Sequence, residues 1–427
     1  MIQELQMRPF ARPLLFWITG TLLQVFIPGS RFLVLLLLLP VILIGISCFV
    51  SSKKYAVNLY ENRWVWGVVF MMLVISLAVL KTEHSRSELF ERNPFPKLLQ
   101  LAEEKQKQLL ASFDSLRLTE QEKSVLSTIT IGYRKDMNKG MRQRFAAGGV
   151  AHILSVSGFH VAVVCSFLSL AFAAFPRNKV FKWLRYLLMV TLLWMFVYIT
   201  GLAASSVRAA TMLTLYLTGK RLRRTIDSYN ILAASAFCML VYEPLYIFDI
   251  GFQLSYLAVL SILYFQPKLN GLLEIRNPLL KKPYAWITVT VAAQAGTAFL
   301  CLYYFGQFSL VFLFTNIPLT IIATLLIPMA LLWMMIPGGC PGYPLLQSMV
   351  EMLTRSMLWV VDKFSSVPYA VATFHFGFVS MVLAYGVLVF IIMYAKYRRP
   401  AFLIVSLSLL LIFLTMAWIG KMNLIEI

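Results

Sequence analysis

Ala401-Phe402-Leu403-Ile404-Val405-Ser406-Leu407-Ser408-Leu409-Leu410-Leu411-Ile412-Phe413-Leu414-Thr415-Met416-Ala417-Trp418-Ile419-Gly420 is a stretch of twenty residues without a charge. As a helix it would be about 30 Å long, the thickness of a bilayer's hydrocarbon core. Twelve more apolar windows lie upstream, near residues 13–27, 31–50, 64–80, 149–175, 183–200, 202–218, 229–246, 248–265, 284–305, 309–336, 345–367 and 376–394. They are too long and too continuously apolar for barrel strands, which alternate over about ten residues. The expected fold class is an all-α polytopic membrane protein with about 11–13 transmembrane helices. The range reflects the short first window and the 345–367 window, which Glu351 and Arg355 interrupt.

Composition agrees. Of 427 residues, 60% are apolar and 13% charged, against about 25% charged in soluble domains. This excludes a soluble multidomain protein, a disordered chain and a nucleic-acid-binding globule. Arg8 and Arg12 precede the first window, but no small-residue cleavage site follows, so that window reads as a membrane helix. Cys48, Cys165, Cys238 and Cys301 sit in apolar runs and Cys340 in a Pro/Gly-rich loop, with no metal or redox spacing, so no disulfide is expected.

The formal charge of +20 records topology, because Lys and Arg accumulate in cytoplasmic loops. With the N-terminus inside and the windows alternating, the inner loops hold Arg8, Arg12, Lys53, Lys54, Arg63 and the basic clusters within 177–185, 220–224, 268–282 and 396–399. The short outer segments carry only Arg31, Lys363 and Lys421. The C-terminus is then outside. Three regions are expected: residues 1–80, an N-terminal membrane segment of about three helices; 81–148, an extracytoplasmic amphipathic helical segment; and 149–427, the larger membrane domain. The middle region, with 13 Lys/Arg and 9 Asp/Glu, reads as surface helices lying on the bilayer, one opened by the capping pair Thr119 and Glu122.

Polar groups at membrane depth are the functional candidates, since an ionisable one there costs about 2.5–3.5 kcal/mol on insertion scales. The richest segment is Gly148 to His160, with His152, Ser155, Ser157, Gly158 and His160. On a continuous helix the two histidines would stand about 80° apart on one broad face. Gly158 is an expected break that would turn backbone groups toward a cavity. Arg208 lies deep in its window, on a stripe with Ser205 and Thr211, and Asp249 is its expected counter-ion. Asp249, Gln253 and Tyr256 are spaced to share a helix face, as are Thr290, Gln294, Thr297 and Cys301. Asn316 precedes Ile317-Pro318, where a helix can open. Together these suggest a hydrated path. No phosphate-binding glycine loop and no histidine-rich metal cluster is present, so no cofactor, no metal and no enzymatic activity are expected. Two alternatives remain. One is a transporter of a small or lipidic anion, and the other an intramembrane enzyme using His152, His160 and Asp249 as acid–base groups.

His152-Ile153-Leu154-Ser155-Val156-Ser157-Gly158-Phe159-His160 resembles the His-Leu-Leu-Ala-Val-Ser-Gly-Leu-His stretch of the ComEC family of competence proteins. Gly201, Ser205, Arg208 and Ala209 are similar to that family's Gly-x-x-Pro-Ser-x-x-Arg-Ala pattern, with Ala204 where Pro is expected, so a kink from that Pro is not expected. Asp249-Ile250-Gly251-Phe252-Gln253-Leu254-Ser255-Tyr256 resembles its Asp-x-Gly-Phe-Gln-Leu-Ser-Phe element, and Gln294 and Asn316-Ile317-Pro318 also look like family features. The resemblance covers roughly residues 95–395. It implies that residues 149–427 are a competence-type channel domain, a channel in the bacterial inner (cytoplasmic) membrane that passes single-stranded DNA during natural transformation. The implied partners are a DNA receptor on the outer side, a cytoplasmic helicase-like ATPase and the lipid bilayer. The expectation is a short form without the family's oligonucleotide-binding barrel and C-terminal metallo-β-lactamase-like domain.

Overall fold

Long runs of Leu, Ile, Val, Phe and Met in lipid must satisfy every backbone group internally, and the helix does so within one segment. In the computed structural model, residues 8–27, 42, 43, 46, 63–87, 96–176, 178–374 and 377–422 are described. The expected window at 31–50 lies outside the described residues except for 42, 43 and 46. The helices are α1 (Ala11–Phe26), α2 (Arg63–Ser87), α3 (Pro96–Leu110), α4 (Glu120–Ile131), α5 (Lys139–Ala147), α6 (Gly158–Ala171), α7 (Lys179–Ile199), α8 (Ala204–Arg221), α9 (Ser228–Tyr242), α10 (Ile250–Asn270), α11 (Pro278–Phe305), α12 (Phe312–Met335), α13 (Tyr343–Ser365), α14 (Phe378–Tyr397) and α15 (Pro400–Met422). The chain is an all-α polytopic membrane protein. Among the described residues, α2, α7, α10, α11, α12 and α14 include stretches long and apolar enough to cross a bilayer, and α6, α9 and α15 carry shorter apolar stretches.

The contacts divide the chain into two units. The first comprises Met1–Asn138, His152–Tyr256 and Ile322–Ser356, and the second Lys139–Ala151, Leu257–Ile321 and Met357–Ile427.

In the first unit α1, α2 and α9 enclose a core of Trp17, Val74, Ala78, Ala236, Met239 and Leu240. Trp17 donates its indole N–H to the Leu240 carbonyl at 2.9 Å, so the large ring is buried without an orphaned donor. At one end of this bundle Arg8 Nε donates to Asp227 Oδ2 at 3.2 Å, and the Phe10 amide donates to Asn230 Oδ1 at 3.0 Å. The N-terminal segment and the 220–227 loop therefore lie on one side of the membrane, as the charge count expects. Burial works to raise the Asp227 carboxyl, but the Asn230 amide and Arg8 hold it below its ordinary 3.8.

Within the polar segment, α4 departs from the surface reading. Thr119 and Glu122 do form the expected capping box. Every residue of α4 from Ser124 to Ile131 is buried, however. The helix hides its own polarity: Ser127 and Thr128 donate to the Ser124 carbonyl and Thr130 to the Leu126 carbonyl, at 3.1, 2.7 and 2.6 Å. An apolar environment then meets the methyl groups of Thr128 and Thr130 in place of their hydroxyls.

In the second unit, β1 (Gln307–Ser309) and β2 (Val371–Thr373) form a two-stranded antiparallel ribbon, pairing Gln307 with Thr373 and Ser309 with Val371. Ser309 Oγ donates to the Ala147 carbonyl at 2.7 Å, fixing the end of α5 to the ribbon. Gly149, at φ +74°, turns beneath it where an added Cβ would stand 2.6 Å from that of Phe312. α10 and α11 approach so closely that a Cβ on Gly296 would stand 1.6 Å from Ser261 Oγ.

Candidate functional site

Residues 149–160 are not one helix. After the Gly149 turn come a 3-10 turn (Ala151–Leu154), a bend at Ser155 and extended backbone at Ser157, and α6 starts at Gly158. Gly158 thus begins a helix; it does not break one. The expected shared face for the two histidines is corrected by the same geometry, since His152 sits in the 3-10 turn and His160 in the first turn of α6.

His160 is fully buried, at 0% exposure, whereas His152 is exposed. Its Nδ1 accepts from the Ser157 amide at 3.2 Å and lies 3.0 Å from Ser157 Oγ. An accepting Nδ1 assigns the ring proton to Nε2. That Nε2–H has no partner among the described residues. Ser155 Oγ donates to the His152 carbonyl at 3.1 Å, which holds the turn.

The start of α8 is bound to this segment. Ser205 Oγ and Ser206 Oγ both donate to the Val156 carbonyl, at 2.5 and 3.2 Å. A residue between a turn and a helix has a carbonyl without a regular backbone partner, and two hydroxyls in the first turn of a neighbouring helix satisfy it. Ala204 is the first residue of α8, and Ala203 before it has φ −52° and ψ 132°. A Pro at that position starts a helix and does not kink it, because its missing N–H would be unpaired there in any case. Ala204 therefore stands where a Pro would fit the same backbone.

Arg208, one turn further along α8, is 4% exposed. Its Nη2 donates to the Gly251 carbonyl at 2.9 Å, and its Nη1 lies 3.8 Å from Asp249 Oδ1. Arg208 and Asp249 are thus paired as expected, although the shorter bond goes to the backbone. Arg208 Nε has no partner among the described residues. Asp249 does not continue the face of Gln253 and Tyr256. It precedes α10, where its Oδ1 accepts from the Phe252 amide at 2.7 Å, while Gln253 Nε2 reaches back to the Ile247 carbonyl at 2.9 Å. His160 and Asp249 are each committed to their own helix starts.

The starts of α6, α8 and α10 are therefore joined in one unit by Val156, Ser205, Ser206, Arg208 and Asp249. Helix N-termini carry partial positive charge, and a buried guanidinium adds to it. Gln294 and Asn316 belong to the second unit. There Asn316 Nδ2 donates to Thr290 Oγ1 at 2.9 Å, one turn before the half-buried Gln294, and Asn316 Oδ1 has no partner among the described residues. Ser206 was missed from sequence because it lies off the Ser205–Arg208–Thr211 stripe, although its hydroxyl donates to the same Val156 carbonyl as that of Ser205. No group of three or more His, Cys, Asp or Glu side chains placed to hold a metal occurs among the described residues.

Residues 129–399 match the family model described as Competence protein. Over 241 residues the chain is 27% identical to ComE operon protein 3 of Bacillus subtilis (strain 168), an alignment covering 56% of this chain and 28% of that protein. The chain thus matches less than a third of that relative's length. No solved structure matches the chain.

Proposed function

The chain belongs to the Competence protein family, and from that premise we propose that it is an inner-membrane channel that passes single-stranded DNA into the cytoplasm during natural transformation. The observation that supports this reading is the buried Arg208 at the joined starts of α6, α8 and α10, with one guanidinium nitrogen unpartnered among the described residues. A phosphodiester strand needs a positive, hydrated and sequence-tolerant path. Helix N-termini and an Arg half-occupied by a backbone carbonyl supply attraction without a deep trap, and weak multi-site contact is what conduction requires. On this reading a receptor delivers DNA at the outer side, and a helicase-like ATPase pulls the strand at the inner side.

The experiment is transformation and labelled-DNA uptake by cells whose native copy is replaced with Arg208→Ala. Uptake is expected to fall to background while the protein stays in the membrane at its normal level. Normal uptake by a stably inserted variant would refute the reading.

A further inference from the structure

β1 and β2 pair directly, and the Leu310 amide donates to the Ala370 carbonyl at 2.8 Å beyond them. The chain therefore leaves the ribbon and returns to it on one side of the membrane. Only α12 and α13 lie between. An even number of crossings must separate the strands, so both helices cross or neither does.

The partners of α13 decide between these. Gln347 Nε2 donates to the Ser115 carbonyl at 3.2 Å, and the Glu351 carboxylate accepts from the Arg117 amide at 2.8 Å. Arg355 donates to the Arg117 carbonyl and lies 3.7 Å from Glu122. Near the other end, Asp362 accepts from Arg144 at 3.0 Å. Gln347 and Asp362 are about 22 Å apart along the helix, and every one of these partners belongs to the polar stretch 96–147. That stretch has no apolar run able to cross, so all of it is on one side. A crossing helix could not keep such partners along its whole length. α12 agrees at its far end, where the Trp333 ring lies 5.8 Å from Phe113 of the same stretch.

The opposite edge of α13 is apolar and bare. Leu345, Met352 and Trp359 recur every seventh residue and are 67%, 58% and 67% exposed, while Glu351 and Thr354 on the other side are 8% and 0% exposed. Leu345 also lines an apolar cavity of about 450 Å³ with Met335, Ile336, Leu346 and Met349. α12 repeats the division: Leu319, Leu326 and Trp333 are buried, and Phe314, Leu325 and Met335 are 66%, 51% and 77% exposed. Helices with one face on protein and an apolar face outward, Trp included, suit the boundary between headgroups and acyl chains.

We propose that α12 and α13 do not cross the membrane but form a hairpin on its outer face, with the Leu345–Met352–Trp359 stripe seated in the outer leaflet. The composition of α12 would allow it to cross, but the ribbon forbids its crossing alone. Its apolar surface is covered by protein on one side and by lipid on the other. Strict alternation puts the 336–342 turn inside; the hairpin puts it outside and leaves the C-terminus where the charge count has it. The proposal does not depend on DNA being the substrate.

Cys340, exposed in that turn, is a natural probe. Cells stripped of their wall are treated with an impermeant maleimide before and after permeabilisation, and the modified cysteines are mapped by mass spectrometry. Cys340 is expected to be modified to the same extent in both. Modification that requires permeabilisation would overturn the proposal. A nitroxide on Met352→Cys then tests the seating. It is expected to be more accessible to oxygen than to a water-soluble nickel chelate, and the reverse order would overturn the lipid assignment.

Discussion

The guanidinium of Arg208 on α8 and the carbonyl oxygen of Gly251 in the first turn of α10 are joined by a 2.9 Å hydrogen bond. Asp249 stands 3.8 Å away with its side chain half exposed. The Arg therefore acts first as a clamp between two helix starts and second as an ion-pair partner. Arg208→Lys retains the charge but cannot reach both acceptors from a fixed fork. It is expected to lower the unfolding midpoint in detergent, by about 1–3 kcal/mol in stability, and to retain part of the uptake that Arg208→Ala loses. Asp249→Asn retains an acceptor for the Phe252 amide and is expected to be milder than Arg208→Lys in both assays.

Gly296 and Ser261 set the spacing of α10 and α11 in the second unit. A Cβ at 296 would meet Ser261 Oγ at 1.6 Å and Ser261 Cβ at 2.5 Å. Rotating the hydroxyl relieves the first contact but not the second, so Gly296→Ala forces the helices apart. The expected loss is about 1–3 kcal/mol, the range for overpacking, read as a lowered unfolding midpoint. Ser261→Gly in the same chain removes both contacting atoms and is expected to restore most of it, whereas Ser261→Ala leaves Cβ in place and is not.

The Asp227 carboxylate, which accepts from the Asn230 amide and pairs with Arg8, gives a pH signature. Because the Asp227 carboxyl is held below its ordinary 3.8 in the folded chain, its contribution is present above that value. It is lost as pH falls through the lower folded value. Stability measured from pH 6 down to pH 2 should fall more steeply at the acid end for the parent than for Asp227→Asn. Both groups are about one-third exposed, at 31% and 37%, so at neutral pH the variant should differ by about 0.2–1 kcal/mol. A parent and variant with parallel acid limbs would remove the pair from the account.

The helices were legible in the sequence because apolar run length is a direct physical requirement of the bilayer, and the Arg208–Asp249 pair because few charges sit in the apolar windows. Two features were not legible. The serines and threonines of α4 look solvent-facing, yet Thr128 and Thr130 turn their hydroxyls onto their own helix. The ribbon pairs Phe308 with Ala372, residues far apart in sequence on three-residue strands too short for an alternating pattern. The two histidines were placed on one face by helical spacing, which the Gly149 turn and the 3-10 turn interrupt.

Ala204→Pro tests the reading of α8's start. The preceding Ala203 already has the extended conformation that a following Pro demands, with ψ 132°. The first helical N–H has no intrahelical acceptor, so its loss removes no bond. A proline that fits the native backbone restricts the unfolded chain and typically stabilises by about 0.4–1 kcal/mol. The variant is expected to unfold at a slightly higher temperature and to take up DNA normally. Destabilisation would mean that α8 begins differently.

His160 separates a capping role from a contact with the strand. As the third residue of α6 it accepts the Ser157 amide through Nδ1, the task that Glu or Gln performs in the usual capping box. His160→Gln can accept the same amide and should leave the unfolding midpoint near that of the parent. His160→Ala leaves that amide unpaired and empties a fully buried site, with an expected loss of about 0.5–2 kcal/mol from the cap alone. The Nε2–H, unpartnered among the described residues, is what the Gln variant does not reproduce in place. If that donor serves the transported strand, His160→Gln retains the fold and its membrane level but loses most of its uptake. Uptake at the parent's level in a His160→Gln protein would confine His160 to holding the start of α6, and would leave Arg208 as the group on which the proposed path rests.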